Sequence, residues 1–338
     1  MKREVLYKIA LMLCLFMLSG CSLLNQGNSV KAPEKVFSGT DSLSLSIAEA
    51  PLSKPFLSPK EGVVPVQFAL SLQNKGASDI EEGYVTMNSI EGKLDIKGWT
   101  AQLGEVTPIG SEGRKFSFKL KGKSQEAPQG ETTVARASID LLPLQEGRQE
   151  DTSEIWITSC YDYRTTAVAD VCIDNDIDNT KNIKKTCSLE DISLSSGQGA
   201  PIAVTEIRQQ VRYDTEAKIV IPSYMITVKN SGQGDVFLPY EAESACGGTT
   251  KESRISLENV DLSGMQLGGP IECPRTIELK EGIATFVCDV MPDRVSEYFR
   301  NNVLNLDTPT HPATLKITMV YGYKISASTS VTIKASLE

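Results

Sequence analysis

Apolar and polar residues alternate with a period of two along most of the chain beyond about residue 40. Alternation of this kind places the apolar side chains on one face of a β-strand. It is clearest in the run of apolar residues Val64, Val66, Phe68, Leu70 and Leu72. Only residues 292–299 favour a short helix, with Val295, Tyr298 and Phe299 on one side. The pattern predicts an all-β fold of antiparallel strands arranged as sandwiches.

The second half of the chain repeats the pattern of the first. Asn230-Ser231-Gly232 aligns with Asn74-Lys75-Gly76, and Tyr321-Gly322-Tyr323 aligns with Tyr161-Asp162-Tyr163. The offset is 156 at the first match (230 − 74) and 160 at the second (321 − 161), so an insertion separates them. Two matches in the same order favour an internal duplication. We therefore expect two copies of one β-sandwich, with the recurring tyrosines in a packing role.

A polar stretch rich in charged residues, Ser and Gly lies between the two copies and indicates a boundary. A second polar stretch precedes the first copy and is typical of a flexible tether. The predicted organisation is a signal peptide over 1–20, a tether over 21–39, a sandwich over 40–175, a linker over 176–197 and a sandwich over 198–338.

The strand ends at Leu70–Gly76 and Ile226–Gly232, each with an Asn-x-Gly turn, resemble the CARDB-like and related immunoglobulin-like modules of bacterial and archaeal surface proteins. The resemblance implies two tandem immunoglobulin-like antiparallel β-sandwiches used for adhesion, spacing or assembly. It implies no catalytic residues.

The first twenty-odd residues are built like a secretory signal peptide. Lys2, Arg3 and Lys8 precede an apolar run that is too short to span a bilayer. The run ends at Leu18-Ser19-Gly20-Cys21, which resembles a prokaryotic lipobox. The resemblance implies cleavage before Cys21 and acylation of its thiol by palmitate-type chains. We expect an extracytoplasmic protein, anchored to the membrane through Cys21, at the cell surface or facing the periplasm.

The net charge of −9 argues against a nucleic-acid partner, because an acidic surface repels phosphates. Six cysteines follow Cys21, an even number that indicates disulfides in an exported chain. A turn at residues 164–167 would place Cys160 opposite Cys172 in a hairpin, and a turn at 280–282 would do the same for Cys273 and Cys288. Cys187–Cys246 then follows by elimination.

One acidic stretch is the best metal candidate. Asp174, Asp176 and Asp178 alternate in the order expected of calcium ligands, but the stretch lacks the glycine and distal glutamate of an EF-hand loop. Calcium ligation and a solvated acidic linker are both open interpretations. No other cofactor is indicated.

The sequence contains no arrangement typical of a catalytic site. His311 is the only histidine and lies between two prolines, and no Gly-x-Ser-x-Gly elbow is present. Trp99 and Trp156 fit a core role better than a sugar-binding one. We therefore predict a non-catalytic binding, adhesive or structural role in the envelope, with an envelope protein or glycan as partner. The alternatives are a subunit that pairs through an edge strand, and a carboxylate-based carbohydrate-active enzyme.

Overall fold

The predicted all-β class is confirmed. A computed structural model describes residues 36–48, 52–90, 92–110, 113–181, 184–248 and 253–336. The predicted signal peptide, most of the tether and Cys21 lie outside these residues. The described part of the chain has no helix that is both long enough and apolar enough to cross a membrane.

Nineteen strands and two short α-helices are described. The strands are β1 (Leu43–Ile47), β2 (Phe56–Leu57), β3 (Val64–Asn74), β4 (Ile80–Ser89), β5 (Leu94–Leu103), β6 (Val106–Ile109), β7 (Lys115–Leu120), β8 (Thr132–Leu141), β9 (Glu150–Ile173), β10 (Ile192–Ser193), β11 (Ile202–Asp214), β12 (Ile219–Asn230), β13 (Asp235–Phe237), β14 (Arg254–Leu262), β15 (Met265–Gln266), β16 (Ile271–Glu272), β17 (Thr276–Glu278), β18 (Ile283–Val290) and β19 (His311–Lys334). The helices are α1 (Ala242–Gly247) and α2 (Glu297–Asn302), and a 3-10 turn covers Pro292–Arg294. The last two elements replace the single helix predicted over 292–299.

The strands form three sheets. A central sheet has the order β15-β14-β19-β9-β4-β7-β6, with β13, β17 and β2 attached to it. A four-stranded sheet has the order β1-β3-β8-β5, and a five-stranded sheet has the order β10-β11-β12-β18-β16. The smaller sheets come from different halves of the chain, whereas the central sheet contains strands from both halves. The predicted domain boundaries stay predictions, and Val36–Glu338 forms one compact unit.

The central sheet is organised around β9 and β19, which pair antiparallel over 24 residues each. The predicted hairpin turn at residues 164–167 is wrong, because β9 continues straight through it. The segment reads Arg-Thr-Thr-Ala and has neither Gly nor Pro to favour a turn. Its partner is the distant β19, and no local pattern in the sequence indicates that pairing.

Odd-numbered residues of β9 between positions 153 and 173 are buried, whereas most of the even-numbered ones are partly or fully exposed. The buried faces of the three sheets contribute to one contiguous apolar core. Trp99 is 3% exposed and packs edge-on against Phe68 and Phe116, with ring centroids 6.4 and 5.0 Å apart. The core prediction is therefore right for Trp99 and wrong for Trp156, which is 37% exposed.

Four tyrosines meet at the middle of the long strand pair. In the register of β9 and β19, Tyr161 lies opposite Tyr323 and Tyr163 lies opposite Tyr321. Neighbouring rings are 5.8 to 6.4 Å apart between centroids, in edge-on or tilted contacts. Each hydroxyl has a hydrogen-bond partner, as buried tyrosines require. The packing role predicted for the recurring tyrosines is confirmed.

The duplication is visible as the same hydrogen bonds in both halves. Tyr163 donates its hydroxyl proton to Oδ1 of Asn74 at 3.1 Å, and Tyr323 does the same to Asn230 at 3.1 Å. The amide of each asparagine donates to a backbone carbonyl four residues on, at 2.8 and 2.9 Å. Each Asn-x-Gly turn is thus fixed to the centre of the sheet by one tyrosine.

Candidate functional site

The midpoint of the long strand pair lies where Asp162 of β9 faces Gly322 of β19. Because the copies align at Tyr161 and Tyr321, these two residues occupy the same position in the two copies. Because the two strands are antiparallel, a residue that precedes Asp162 in β9 and its equivalent that precedes Gly322 in β19 lie on opposite sides of this point. Asp162 and Gly322 have side-chain positions on the face of the sheet opposite the four tyrosines, which we call the outer face.

The two copies differ at one strand beside this midpoint. In the first copy, β4 is continuous and pairs with β9. In the second copy, two separate strands, β13 and β14, both pair with β19. The residues between β13 and β14 are therefore an insertion. Its described part, residues 238–248, contains α1, and we call it the cap.

The cap covers the outer face near the midpoint. Ala242, Ala245 and Cys246 of α1 are buried in a small apolar cluster that is separate from the main core. The cluster's other buried members, contributed by the central sheet, are Tyr84, Cys160 and Phe237. An apolar cluster on an otherwise polar face requires a cover, and α1 provides it.

Glycine is required at position 322 for this arrangement. A Cβ atom there would collide with the ring of Phe237, which lies directly across β13 and β19. Gly322 thus allows Phe237 to lie flat on the strand beneath the cap.

The N-terminal end of the cap is held by Asp162. The backbone N–H of Tyr240 donates to both carboxylate oxygens of Asp162, at 3.0 Å each. Partial burial raises the pKa of Asp162 from its usual 3.8 to about 6, and the nearby carboxylates of Glu82 and Glu241 act in the same direction. The hydrogen bond from Tyr240 opposes the shift without cancelling it. The cap therefore binds a carboxylate that ionises close to neutral pH.

The C-terminal end of α1 is held by the central sheet. Thr86 of β4 donates its hydroxyl proton to the carbonyl oxygen of Cys246 at 3.1 Å. Lys324 of β19 donates to the carbonyl oxygen of Gly248 at 3.2 Å. Both contacts satisfy carbonyl groups at the end of a helix that has no further turn to bond them.

Lys115 of β7 holds the middle of the cap. Its ammonium group lies 2.9 Å from Oε1 of Glu243 and 3.2 Å from the same residue's carbonyl oxygen. It also lies 4.8 Å from the centroid of the Tyr84 ring. Tyr84 donates its hydroxyl proton to Glu82. Burial and that carboxylate raise the pKa of Tyr84, which keeps the hydroxyl protonated as the donor.

Tyr240 is the most exposed of the large apolar or aromatic side chains that the structure describes, at 83%. Its φ of 68° is in the left-handed region, which a non-glycine residue adopts at an energetic cost. The hydrogen bonds to Asp162 hold its backbone in that conformation. The arrangement fixes an aromatic side chain so that it projects into solvent.

The predicted disulfides are corrected in part. Cys273–Cys288 is present, as predicted. Cys172 is bonded to Cys187 rather than to Cys160, so the predictions Cys160–Cys172 and Cys187–Cys246 are wrong. The physical reason is the missing hairpin, because Cys160 and Cys172 lie far apart along one straight strand. Cys160 and Cys246 are unbridged and buried under the cap.

The predicted calcium ligands do not converge. Oδ2 of Asp174 forms an ion pair with Nζ of Lys185 at 2.7 Å, and Asp176 accepts hydrogen bonds from Thr180 and Lys181. In the described ranges no three His, Cys, Asp or Glu side chains lie close enough together to hold a metal ion. Asp174 and Asp176 are therefore occupied by local hydrogen bonds and one lysine ammonium group, and Asp178 does not complete a cluster with them.

The remaining candidates for chemistry are also dispersed. His311 begins β19, and its Nδ1 lies 3.5 Å from the carbonyl oxygen of Pro309. Glu81 and Glu82 line a shallow depression of about 350 Å³ with Glu105 and Lys119. A larger polar groove of about 560 Å³ lies between residues 40–43 and the turn at 231–235. Asp162 and Tyr240 were not predicted from the sequence. The offset between the copies changes by only four residues, and this small change conceals the longer insertion that forms the cap.

No family model matches the chain, and no curated protein matches it. Among solved structures, weak similarity is found to several proteins, which include the following three. The Coh-OlpC–Doc435 cohesin–dockerin complex of Clostridium thermocellum is 10% identical, with a TM-score of 0.25, over 38% of this chain and 85% of that one. The CupB6 tip adhesin of Pseudomonas aeruginosa is 9% identical, with a TM-score of 0.17, over 89% and 100%. The serine-rich repeat adhesion glycoprotein Srr1 of Streptococcus agalactiae is 9% identical, with a TM-score of 0.16, over 89% and 97%. No functional conclusion follows from similarities at these TM-scores.

Proposed function

We propose that this chain is a lipid-anchored cell-envelope protein with a non-catalytic binding or adhesive role, and that the cap carries its binding surface. The observation that supports the proposal most is the fixed presentation of Tyr240. The cap is absent from the first copy, so the sandwich architecture does not need it. Exposed aromatic side chains on a rigid support are typical centres of protein and glycan recognition, because they bury much area at little entropic cost.

The charge around Tyr240 indicates the kind of partner. Glu82, Asp162, Glu241 and Glu243 lie on or beside the cap, and Lys115 offsets only one of them directly. A surface of this sign favours a partner with basic or neutral hydrogen-bonding groups.

Binding through the cap can be tested with the full-length mature protein and cell envelopes prepared from the producing organism as the probe. Tyr240→Ser should weaken saturable binding about tenfold or more. Tyr298→Ser is a matched control, since Tyr298 is 68% exposed and lies on α2. Absence of saturable binding, or equal loss in both variants, would refute the proposal.

The anchor is proposed from the sequence alone. Cys21→Ser should abolish incorporation of a labelled fatty acid and release the protein from membranes or stall its maturation. A mature Cys21→Ser protein that still sediments with membranes would show that something else holds it there.

A second candidate function has its own supporting observation, the open edge of β1. The backbone N–H of Lys75 donates to the carbonyl oxygen of Ser42. In an antiparallel ladder such bonds alternate along the strand, so the backbone N–H and C=O of Leu45 point away from β3. The equivalent strand of the second copy, β11, has β10 on this edge, whereas no described strand covers β1. A partner strand could add here.

Proline is tolerated where a strand's N–H faces solvent, so Leu45→Pro should fold but lose such pairing. Leu45→Ala controls for the lost side chain. If all three proteins migrate identically on native gels after gentle detergent extraction, pairing through this edge is refuted.

A further inference from the structure

The two unbridged cysteines lie against each other beneath the cap. Cys160 is directly paired with Tyr84 in the register of β9 and β4. Sγ of Cys246 lies 3.5 Å from the carbonyl oxygen of Tyr84 and 3.5 Å from that of Thr158. Cys246 therefore sits over the same strand pair that carries Cys160. The two side chains belong to one buried cluster, with residue exposures of 0% and 5%.

The other four cysteines of the described body are all bridged, in Cys172–Cys187 and Cys273–Cys288. Bridges of this kind persist in oxidising compartments. Two thiols in mutual contact in the same compartment are expected to be oxidised to a disulfide as well. We propose that Cys160 and Cys246 form a third disulfide, which fastens the cap covalently to the central strand β9.

A metal site is the competing role for two adjacent thiols, and the surroundings do not support it. The nearest polar groups are backbone carbonyls and the hydroxyl of Thr86, and no third His, Cys, Asp or Glu joins the pair within the described ranges. Soft divalent metals in proteins take three or four such ligands.

The reaction is an exchange with an oxidised dithiol, a protein or small-molecule disulfide of the exporting compartment. The thiolate of one cysteine attacks that disulfide, forming a mixed disulfide and releasing one thiol. The second cysteine then attacks the mixed disulfide and releases the other thiol. The protein loses two protons and two electrons, and the oxidant is reduced to two thiols.

With the cap closed, the two thiols differ in acidity. The hydrogen bond from the Cys160 thiol lowers the pKa of Cys246, and the contact with Thr86 and the charge of Lys115 act in the same direction. The same hydrogen bond and burial raise the pKa of Cys160. Because both thiols are buried once the cap is in place, the exchange takes place before the cap closes on the sheet.

The bridge would make the cap's attachment independent of the hydrogen bonds around it. Without it, the cap is held by the apolar cluster beneath α1 and by its contacts with Asp162, Thr86, Lys115 and Lys324. This inference stands apart from the proposed binding role, because it rests on the two thiols and not on Tyr240.

The chain offers a direct test by mass spectrometry. Trypsin places Cys160 in residues 149–164, Cys246 in 230–251, Cys172 in 165–181 and Cys187 in 186–208, so each pairing gives a distinct product. Full-length exported protein is denatured with an alkylating agent and digested without reduction. We expect 149–164 linked to 230–251, in a product that disappears on reduction. Recovery of both peptides separately alkylated would overturn the proposal.

A second measurement separates a bridge from simple thiol packing. If a bond joins the two residues, Cys160→Ala and Cys246→Ala should each lower the unfolding temperature by about 5 °C or more, and the double variant should be little worse than either. Under reducing conditions, in which the Cys172–Cys187 and Cys273–Cys288 bridges are also broken, the difference between the wild-type protein and the variants should become much smaller. Additive effects of the two single variants, or no loss in any variant, would contradict a bridge.

Discussion

Asp162 provides a test of how the cap is attached, because its ionisation opposes folding while its oxygens accept the hydrogen bond from Tyr240. The pKa of Asp162 is raised from 3.8 to about 6 in the folded protein. The folded state therefore holds the proton more tightly than the unfolded state does. Between about pH 4 and pH 6 this residue's contribution to stability falls as the pH rises, the reverse of the usual salt-bridged aspartate.

The magnitude follows from the shift. Roughly two pKa units correspond to about 3 kcal/mol at neutral pH, and residual solvent contact of the carboxylate reduces this to about 1–2 kcal/mol. Asp162→Asn removes the charge but keeps an oxygen that can accept from the N–H of Tyr240. We expect the variant to match the wild type near pH 4 and to exceed its stability by about 1–2 kcal/mol near pH 7.5.

The assay is urea unfolding across this pH range, followed as the difference between variant and wild type, in which carboxylates common to both proteins cancel. Asp162→Ala should track Asp162→Asn but lie lower by a constant amount of about 1–2 kcal/mol, because the N–H of Tyr240 loses its acceptor. Asp170→Asn, on the same strand and exposed, controls for the loss of a surface charge. A difference between Asp162→Asn and wild type that does not change with pH would refute the reasoning.

Three further predictions concern single side chains and can be measured by thermal or urea unfolding. Tyr224→Phe should leave stability unchanged or raise it by up to about 1 kcal/mol, since its buried hydroxyl has no partner among the described residues. Tyr321→Phe should cost about 1–2 kcal/mol, because that hydroxyl bonds to Thr165 at 2.8 Å; equal effects in these two variants would contradict both expectations. Gly322→Ala should cost about 1–3 kcal/mol by displacing the ring of Phe237, and an unchanged midpoint would show that the ring can move freely.

The fold class was predictable because the period of two survives along several of the longer strands. Residues 64–72 and 116–120 alternate in the sequence and lie in β3 and β7. The duplicated Asn-x-Gly turns were also visible, since they depend on residues close together in the chain.

The pairing of β9 with β19 was not predictable from local pattern. A continuous strand of 24 residues has the same alternation as two shorter strands with a turn between them, so the prediction inserted a turn at 164–167. That error led directly to the Cys160–Cys172 pairing, and elimination then assigned Cys187 to Cys246. The Cys273–Cys288 pair was predicted correctly, but the hairpin on which the prediction rested is absent, because β17 pairs with β14 and not with β18. The register of β16 with β18, which pairs Glu272 with Asp289, places Cys273 opposite Cys288 instead.

The candidate site escaped prediction because its parts come from both copies. Asp162 belongs to the first copy and the cap to the second, and only the antiparallel pairing of β9 with β19 brings them together. The acidic segment at Asp174 was misleading for the opposite reason. Its spacing resembles a calcium loop, but Lys185, eleven residues on, supplies the positive charge itself.

The asymmetry at the midpoint explains why the cap and the sheet depend on each other. Features that the sandwich requires, such as the asparagine–tyrosine contacts, occur in both copies. At the midpoint the copies carry Asp162 and Gly322, one to bind the cap's backbone and one to leave room for Phe237. Gly322 makes room for a residue of its own copy, whereas Asp162 binds the backbone of Tyr240 in the second copy. Asp162 therefore becomes intelligible only when the second copy lies beside the first, because the cap spans the strands of both. Cutting the chain at the predicted linker would also expose the long unpaired edges of β9 and β19, an arrangement that favours aggregation.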